Sequence, residues 1–254
     1  FSHPGASYGG FVISENLKFK TINEIINLLE QYCVDNHFNE IILINTPPLY
    51  FKNRTDNIDY LLGWNQFEES ETYISHITDL TLHDDLNCFL GKRKKRYLKN
   101  ITSELNINFE ESKDVKSFYS ILFENKKKYN TSPTHSLKEM EKLIKDFPNH
   151  IRLFLSSKND EIVGGTFLFF LNERIGLVFY NVILENYRNS QLSTIQLFNV
   201  MKIFKSAGLK SIDFGVSHTP ELKNPLTPKL SLIEFKEQFG ANGVIRKVYR
   251  KDLK

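Results

Sequence analysis

Residues 151–216 read IRLFLSSKND EIVGGTFLFF LNERIGLVFY NVILENYRNS QLSTIQLFNV MKIFKSAGLK SIDFGV, and their pattern decides the fold. Three runs rich in β-branched and aromatic residues, Ile151 to Ser156, Ile162 to Leu171 and Ile175 to Ile183, are separated by Asn159-Asp160 and Asn172-Glu173. Those turn residues reverse the chain, so the spacing predicts an antiparallel meander. From Gln191 to Ala207 the apolar period lengthens to that of a helix, Gly208 marks its end, and Ser211 to Val216 reads as a further strand. The helix is apolar on most sides, through Leu192, Ile195, Leu197, Phe198, Val200, Met201 and Phe204, and is expected to be buried between layers with its N-terminus opening into a cleft. A meander feeding a helix and another strand gives an α/β fold of α+β character, with a mixed sheet and helices on its faces, not an alternating doubly wound sheet.

Outward from this stretch, helices are expected at Val115 to Tyr129 and Ser136 to Phe147, and a last helix ending at Gly240 leads into a strand from Val244 to Tyr249. The N-terminal part opens with a short strand, Phe11 to Ser14. A helix follows with Ile22, Ile25, Ile26, Leu29, Tyr32 and Cys33 on one face and Thr21 and Glu24 as a capping box. Glu40 to Asn45 is a strand stopped by Pro47-Pro48, and Phe67 to Thr78 is another. An amphipathic helix is expected from Asp85 to about Leu105, carrying Leu86, Phe89, Leu90, Tyr97, Leu98 and Ile101, with a short strand at Ile107 to Glu110. The order of elements suggests domains at 1–105 and 106–254, the last strand being a candidate for return to the first.

Composition narrows the function. With 254 residues, 41% hydrophobic, 25% charged and a net charge of +3, the chain is an ordinary globular protein, and its positive surplus is too small to imply a polyanionic partner by itself. Two cysteines, Cys33 and Cys88, without C-x-x-C or Cys/His ligand spacing, suit a reduced compartment, and a cytoplasmic location is expected. The most apolar run, Gly164 to Leu171, is far short of the roughly 20 residues of a membrane span. The start at Phe1, with no methionine or leader, reads as a trimmed or incomplete chain. None of the seven histidines has H-E-x-x-H spacing, so no metal site is expected. Asp213-Phe214-Gly215 lacks the accompanying kinase loops, and neither a G-x-S-x-G elbow nor a Walker loop occurs.

The last helix carries the sharpest chemical signal. With Thr227 as cap, Pro228 in the first turn and Gly240 at the end, Lys236 falls inside the apolar arc of Leu232, Ile233, Phe235 and Phe239. Either its ammonium snorkels to a rim or pairs with a buried carboxylate, or it stands in a cleft facing developing negative charge. The same test sets Arg93 between Phe89, Leu90 and Tyr97, with Lys92, Lys95, Arg96 and Lys99 on the other faces as a solvated surface or a nucleic-acid patch. Arg188, Ser190, Gln191 and Ser193 surround a helix start suited to an anion such as pyrophosphate. Tyr180 and Tyr187 are candidates for orienting an acceptor or moving a proton, though buried tyrosines commonly only pack, and Asp213 and Ser217 lie where a strand meets a loop.

Taken together, residues 2–10 (SHPGASYGG), Gly164-Gly165, the helix from Ser190 to Gly208, Asp213-Phe214-Gly215 and residues 235–240 (FKEQFG) resemble the GNAT-like acyltransferases of the FemAB group. The resemblance implies two tandem GNAT-like domains, the first short at its N-terminus, and transfer of an acyl or aminoacyl group onto an amine of a cell-envelope sugar or peptide precursor. It also implies a catalytic role for the lysine matching Lys236, and an acceptor site in the first domain and cleft for which Arg93, His3, Ser7 and Tyr8 are candidates. The coenzyme-A loop of GNAT enzymes, Arg/Gln-x-x-Gly-x-Gly/Ala, corresponds to residues 188–193 (RNSQLS), where both small positions differ. A side chain at Gln191 crowds the close approach that glycine permits, so the resemblance leaves acyl-coenzyme A and aminoacyl-tRNA as donors, neither held tightly. The rival readings are a ligand-binding module without chemistry and a tRNA-binding module of the same fold.

Overall fold

A computed structural model describes residues 8–14, 16–219 and 225–253, with backbone only for residues 100–105. In chain order the first elements are α1 (Phe19–Asp35), β1 (Glu40–Ile44), α2 (Asn57–Trp64), β2 (Glu68–Asp79), α3 (Lys92–Leu105), β3 (Asn108–Ser112), α4 (Val115–Lys127) and α5 (Leu137–Asp146). Then come β4 (Ile151–Lys158), β5 (Glu161–Phe170), β6 (Ile175–Ile183), α6 (Leu192–Ser206), β7 (Ser211–Val216), α7 (Leu230–Glu237) and β8 (Asn242–Asp252). Among the described residues no helix is long and apolar enough to cross a membrane.

The chain forms two compact units, and they are not its two successive halves. The first comprises Phe1–Ser75, Val216–Leu230 and Gly243–Lys254; the second comprises His76–Gly215 and Ser231–Asn242. The boundary expected near residue 105 therefore falls inside the second unit, at the end of α3. All but the first residue of β8 lies in the first unit.

In the first unit the strand order is β1, β8, β2, with β1 and β8 antiparallel from Glu40 opposite Asp252 to Ile44 opposite Val248. Ile22, Ile26 and Cys33 bring one stripe of α1 into a core with Ile41 and Leu43 of β1, Ile58, Leu61 and Leu62 of α2, Phe67, and Tyr249 of β8. The helix is capped at Lys18 without a side-chain bond, so it starts ahead of Thr21 and the expected capping box does not form. Phe11 to Ser14 forms no strand. The expectations omitted α2, although Ile58, Leu61 and Leu62 at i, i+3 and i+4 are a helical signal.

In the second unit the order is β2, β7, β6, β5, β4, β3; the meander is antiparallel and β6 pairs parallel with β7. Asn159 and Asp160 both hold positive φ, 50° and 65°, which is what a two-residue reversal between β4 and β5 requires. Alternate residues of β4 feed two cores. Phe154 packs with Leu168, Val178, Val200, Met201 and Phe204 on the α6 side, and Leu153 and Leu155 pack with Phe118, Leu122, Met140 and Phe167 on the side of α4 and α5. A β-bulge leaves Phe179 as the extra residue, since Phe167 faces Tyr180 while Leu168 faces Val178. That extra residue inverts the alternation, so Val178 and Tyr180, two positions apart, enter opposite cores. Gly164 and Gly165 are needed for close approach: a Cβ on the first would stand 2.7 Å from the Val182 carbonyl oxygen, and one on the second 2.7 Å from that of Phe154.

Candidate active site

The site grows from the turn that ends β7. Asp213, fully buried, accepts a hydrogen bond on Oδ1 from the Gly215 N–H at 2.6 Å, folding the chain back on itself. Gly215 has φ +75°, a conformation glycine adopts without strain. The turn presents the Gly215 carbonyl to Lys236, whose Nζ donates to it at 2.8 Å.

Lys236 is 5% exposed and is the only buried side chain of α7. The chain just after it is anchored: the Phe239 carbonyl accepts from Thr78 Oγ1 at 3.0 Å and the Gln238 carbonyl from the Gly91 N–H at 3.0 Å. Burial pulls its ammonium down to about 8, and the charge of Asp213 works against that fall. His76 of β2, 2% exposed, is held below the usual imidazole range by burial first and by the Lys236 cation second. Burial thus shifts both Lys236 and His76 near the turn that Asp213 frames.

The expected start of α7 is corrected. Pro228 pairs in a short antiparallel bridge with His218, and Lys229 N–H donates to Ser217 O at 3.1 Å, so 227–229 is extended and the helix begins at Leu230. The inward phase of Lys236 survives because Leu232, Ile233 and Phe235 of that arc lie within the helix that does form, with Phe239 just past its end.

For α3 the phase itself changes. Leu86–Phe89 form a separate 3-10 turn, Leu90 and Gly91 are extended, and the helix starts afresh at Lys92. This resets the rotation, so Arg93 is exposed, with its Nε donating to Tyr97 Oη at 3.1 Å, and Lys94 takes the inward position. Lys94 is 3% exposed; Nζ donates to Thr194 Oγ1 at 2.7 Å and Gln191 Oε1 at 3.2 Å, and stands 4.3 Å from the centroid of the Phe235 ring. Among the described residues no carboxylate pairs with it, and burial, with the neighbouring Arg93 charge second, pulls it down to about 8. Nothing in the sequence pattern pointed to it.

At the start of α6, Gln191 holds φ +57°, the left-handed geometry glycine would supply, and turns its amide oxygen to Lys94 and Thr194. Ser190 Oγ donates to Tyr187 O at 2.7 Å, Ser193 is half-buried, and Arg188 points to solvent and pairs with Glu185 at 3.3 Å. Of these four candidates, Gln191 alone is drawn toward the buried cation.

The other candidates are dispersed. Tyr180 lies within β6, in the core beside α4 and α5, and its hydroxyl accepts from the Thr134 N–H at 3.0 Å. Tyr187 ends a 3-10 turn and lies half-buried near Lys158. Ser217 and Tyr8 belong to the first unit, where the Tyr8 hydroxyl donates to that of Tyr50 at 3.0 Å. His3 and Ser7 lie outside the described residues.

No family model matches the chain, and no curated protein matches it. Solved structures do. FemX aligns over 96% of this chain and 79% of its own, with 13% identity and a TM-score of 0.74. L-PGS from Bacillus licheniformis aligns over 91% and 73%, with 11% identity and a TM-score of 0.61. A tandem GNAT protein from the clavulanic acid biosynthesis pathway aligns over 91% and 69%, with 9% identity and a TM-score of 0.53. The chain therefore has the GNAT-like fold of the FemAB type, as the residues had suggested.

Proposed function

We propose that the chain is an acyl- or aminoacyltransferase that moves an activated acyl group onto an amine of a cell-envelope sugar or peptide precursor, working in the cytoplasm. The observation that carries the reading is Lys236: a buried ammonium, fixed on the Gly215 carbonyl beside Asp213, in a fold shared with FemX. In the reaction a neutral acceptor amine attacks the acyl carbonyl, a C–N bond forms and negative charge builds on the carbonyl oxygen. Collapse then expels the thiolate of coenzyme A or the ribose oxygen of tRNA, and the amine's proton passes to the leaving group or solvent. The Lys236 ammonium supplies fixed positive charge to the oxygen in that transition state; one such donor is typically worth about 100- to 1,000-fold, roughly 3 to 4 kcal/mol.

Lys94 is proposed as a positioning residue that holds the start of α6 through Gln191 and Thr194. The donor is acyl-coenzyme A or aminoacyl-tRNA. The exposed Lys92, Arg93, Lys95, Arg96 and Lys99 of α3 favour the second, because they offer several phosphate contacts on one helix. Mass-shift screening of both donor classes against amino-sugar and peptide acceptors identifies the pair. In that assay Lys236→Ala should keep the fold and lose about 100-fold or more in rate. Undiminished turnover in the variant would sink the proposal.

A further inference from the structure

A cavity of about 270 Å³ opens within the first unit, among the segment after β1, the first turn of α2 and the start of β8. Its charged groups are divided between elements: Asp56 and Asp59 come from the α2 wall, Arg246 and Lys247 from β8. Asp59 is oriented by a neutral partner, accepting from Asn45 Nδ2 at 2.8 Å, and Asn45 is itself only 7% exposed. Lys247 is matched by Glu69, 2.9 Å away, and its ammonium also feels the charge of Asp59. Among the described residues Arg246 has no carboxylate partner of this kind. Its guanidinium lies against the rings of Tyr8 and Tyr73, 5.3 and 4.7 Å from their centroids, and its buried Nε has no hydrogen-bond partner among the described residues.

Aromatic faces fix the plane of a guanidinium without using its N–H donors, which is how a carboxylate-binding fork is kept ready. The opposite wall offers carboxylate oxygens suited to an ammonium group. A simple anion entering here meets two aspartates, and a simple amine meets Arg246; a ligand carrying both charges satisfies both walls. We infer that this cavity binds a free α-amino acid, its carboxylate on Arg246 and its ammonium on Asp59 and Asp56. This binding needs no acyl donor, so it stands or falls apart from the transfer reading.

Isothermal titration calorimetry on the full chain at neutral pH tests it, with glycine, L-alanine, L-lysine and L-glutamate as probes beside propionate and ethylamine, which each lack one of the two charges. At least one amino acid should bind about tenfold or more tighter than either single-charge analogue, and Arg246→Gln and Asp59→Asn should each weaken it by about tenfold or more. Thermal melts confirm that the variants fold, and Asp56→Asn, at an exposed position, provides a substitution of low structural risk with the same direction of effect. The inference is overturned if no amino acid gives heat, if propionate binds as tightly as alanine, or if folded Arg246→Gln and Asp56→Asn bind as the parent does. Transfer by the Lys236 site, measured on the same samples, reports on the other reading independently.

Discussion

Two buried lysines, both pulled down to about 8, differ in what opposes their burial. Lys236 has the charge of Asp213, whereas Lys94 has two neutral oxygens and an aromatic face. Asp213→Asn retains an acceptor for the Gly215 N–H but removes the charge that favours the ammonium. The alkaline limb of the transfer rate should therefore move to lower pH, while Lys236→Arg, which stays protonated, should abolish that limb; pH–rate profiles decide both. Each lysine binds its proton more weakly in the folded chain than at its ordinary value of 10.5, so the unfolded chain holds more protons between about pH 8 and that value. Stability accordingly rises with pH across this window. Above about pH 10 the opposite contribution sets in from Tyr73 and Tyr249, whose phenols are pushed up to about 12. Lys94→Met should fold, and its urea midpoint should rise less between pH 8 and 9.5 than that of the parent. Lys236 was legible in the sequence because a cation interrupts an apolar arc of known period. Lys94 was not, because its direction depends on where α3 starts, and Gly91 moves that start.

Elements set these residues in place through turns more than through helices. At the end of β7, Asp213 supplies the acceptor and Gly215 the left-handed backbone, so the Asp-Phe-Gly triplet is the frame of the Lys236 site, although in the sequence it looks like a strand end. Gly215→Ala meets no neighbour within 4 Å, so its cost is backbone strain alone, about 1 to 2 kcal/mol. Chemical denaturation should read that loss, and transfer should fall further than stability because the carbonyl facing Lys236 shifts. The bulge in β6 illustrates the limit of pattern reading: strict alternation puts Val178 and Tyr180 on one face, and one extra residue sends the tyrosine into the core with α4 and α5. The meander, α6 and β7 were readable because their turns carry Asn, Asp and Gly at the reversals. The exposed basic face of α3 has its own test at this scale. If it tracks tRNA phosphates, affinity falls steeply with salt, and replacing Lys92 and Lys95 with Gln should flatten the log–log slope by about 2.

Across the whole molecule, the path of the chain constrains folding more than a division into two successive domains suggests. The backbone passes between the two units at residues 75–76, 215–216, 230–231 and 242–243. Local periodicity carries no record of such returns, which is why a single boundary near 105 looked sufficient. In the first unit β1 draws its antiparallel partner from β8, about two hundred residues later in sequence, and Tyr249 of β8 completes the core of α1 and α2. A fragment of residues 1–105 keeps α1, β1 and α2 but loses that strand, so Ile41 and Leu43 lose a neighbour and the backbone of β1 loses its ladder to β8. Unpaired strand edges and an incomplete core leave too little burial to offset chain entropy. The fragment should therefore give the circular dichroism and amide dispersion of an unfolded chain, and adding a peptide of residues 242–253 in excess should recover structure. A fragment 1–105 that melts cooperatively on its own would show that β8 is dispensable to the first unit.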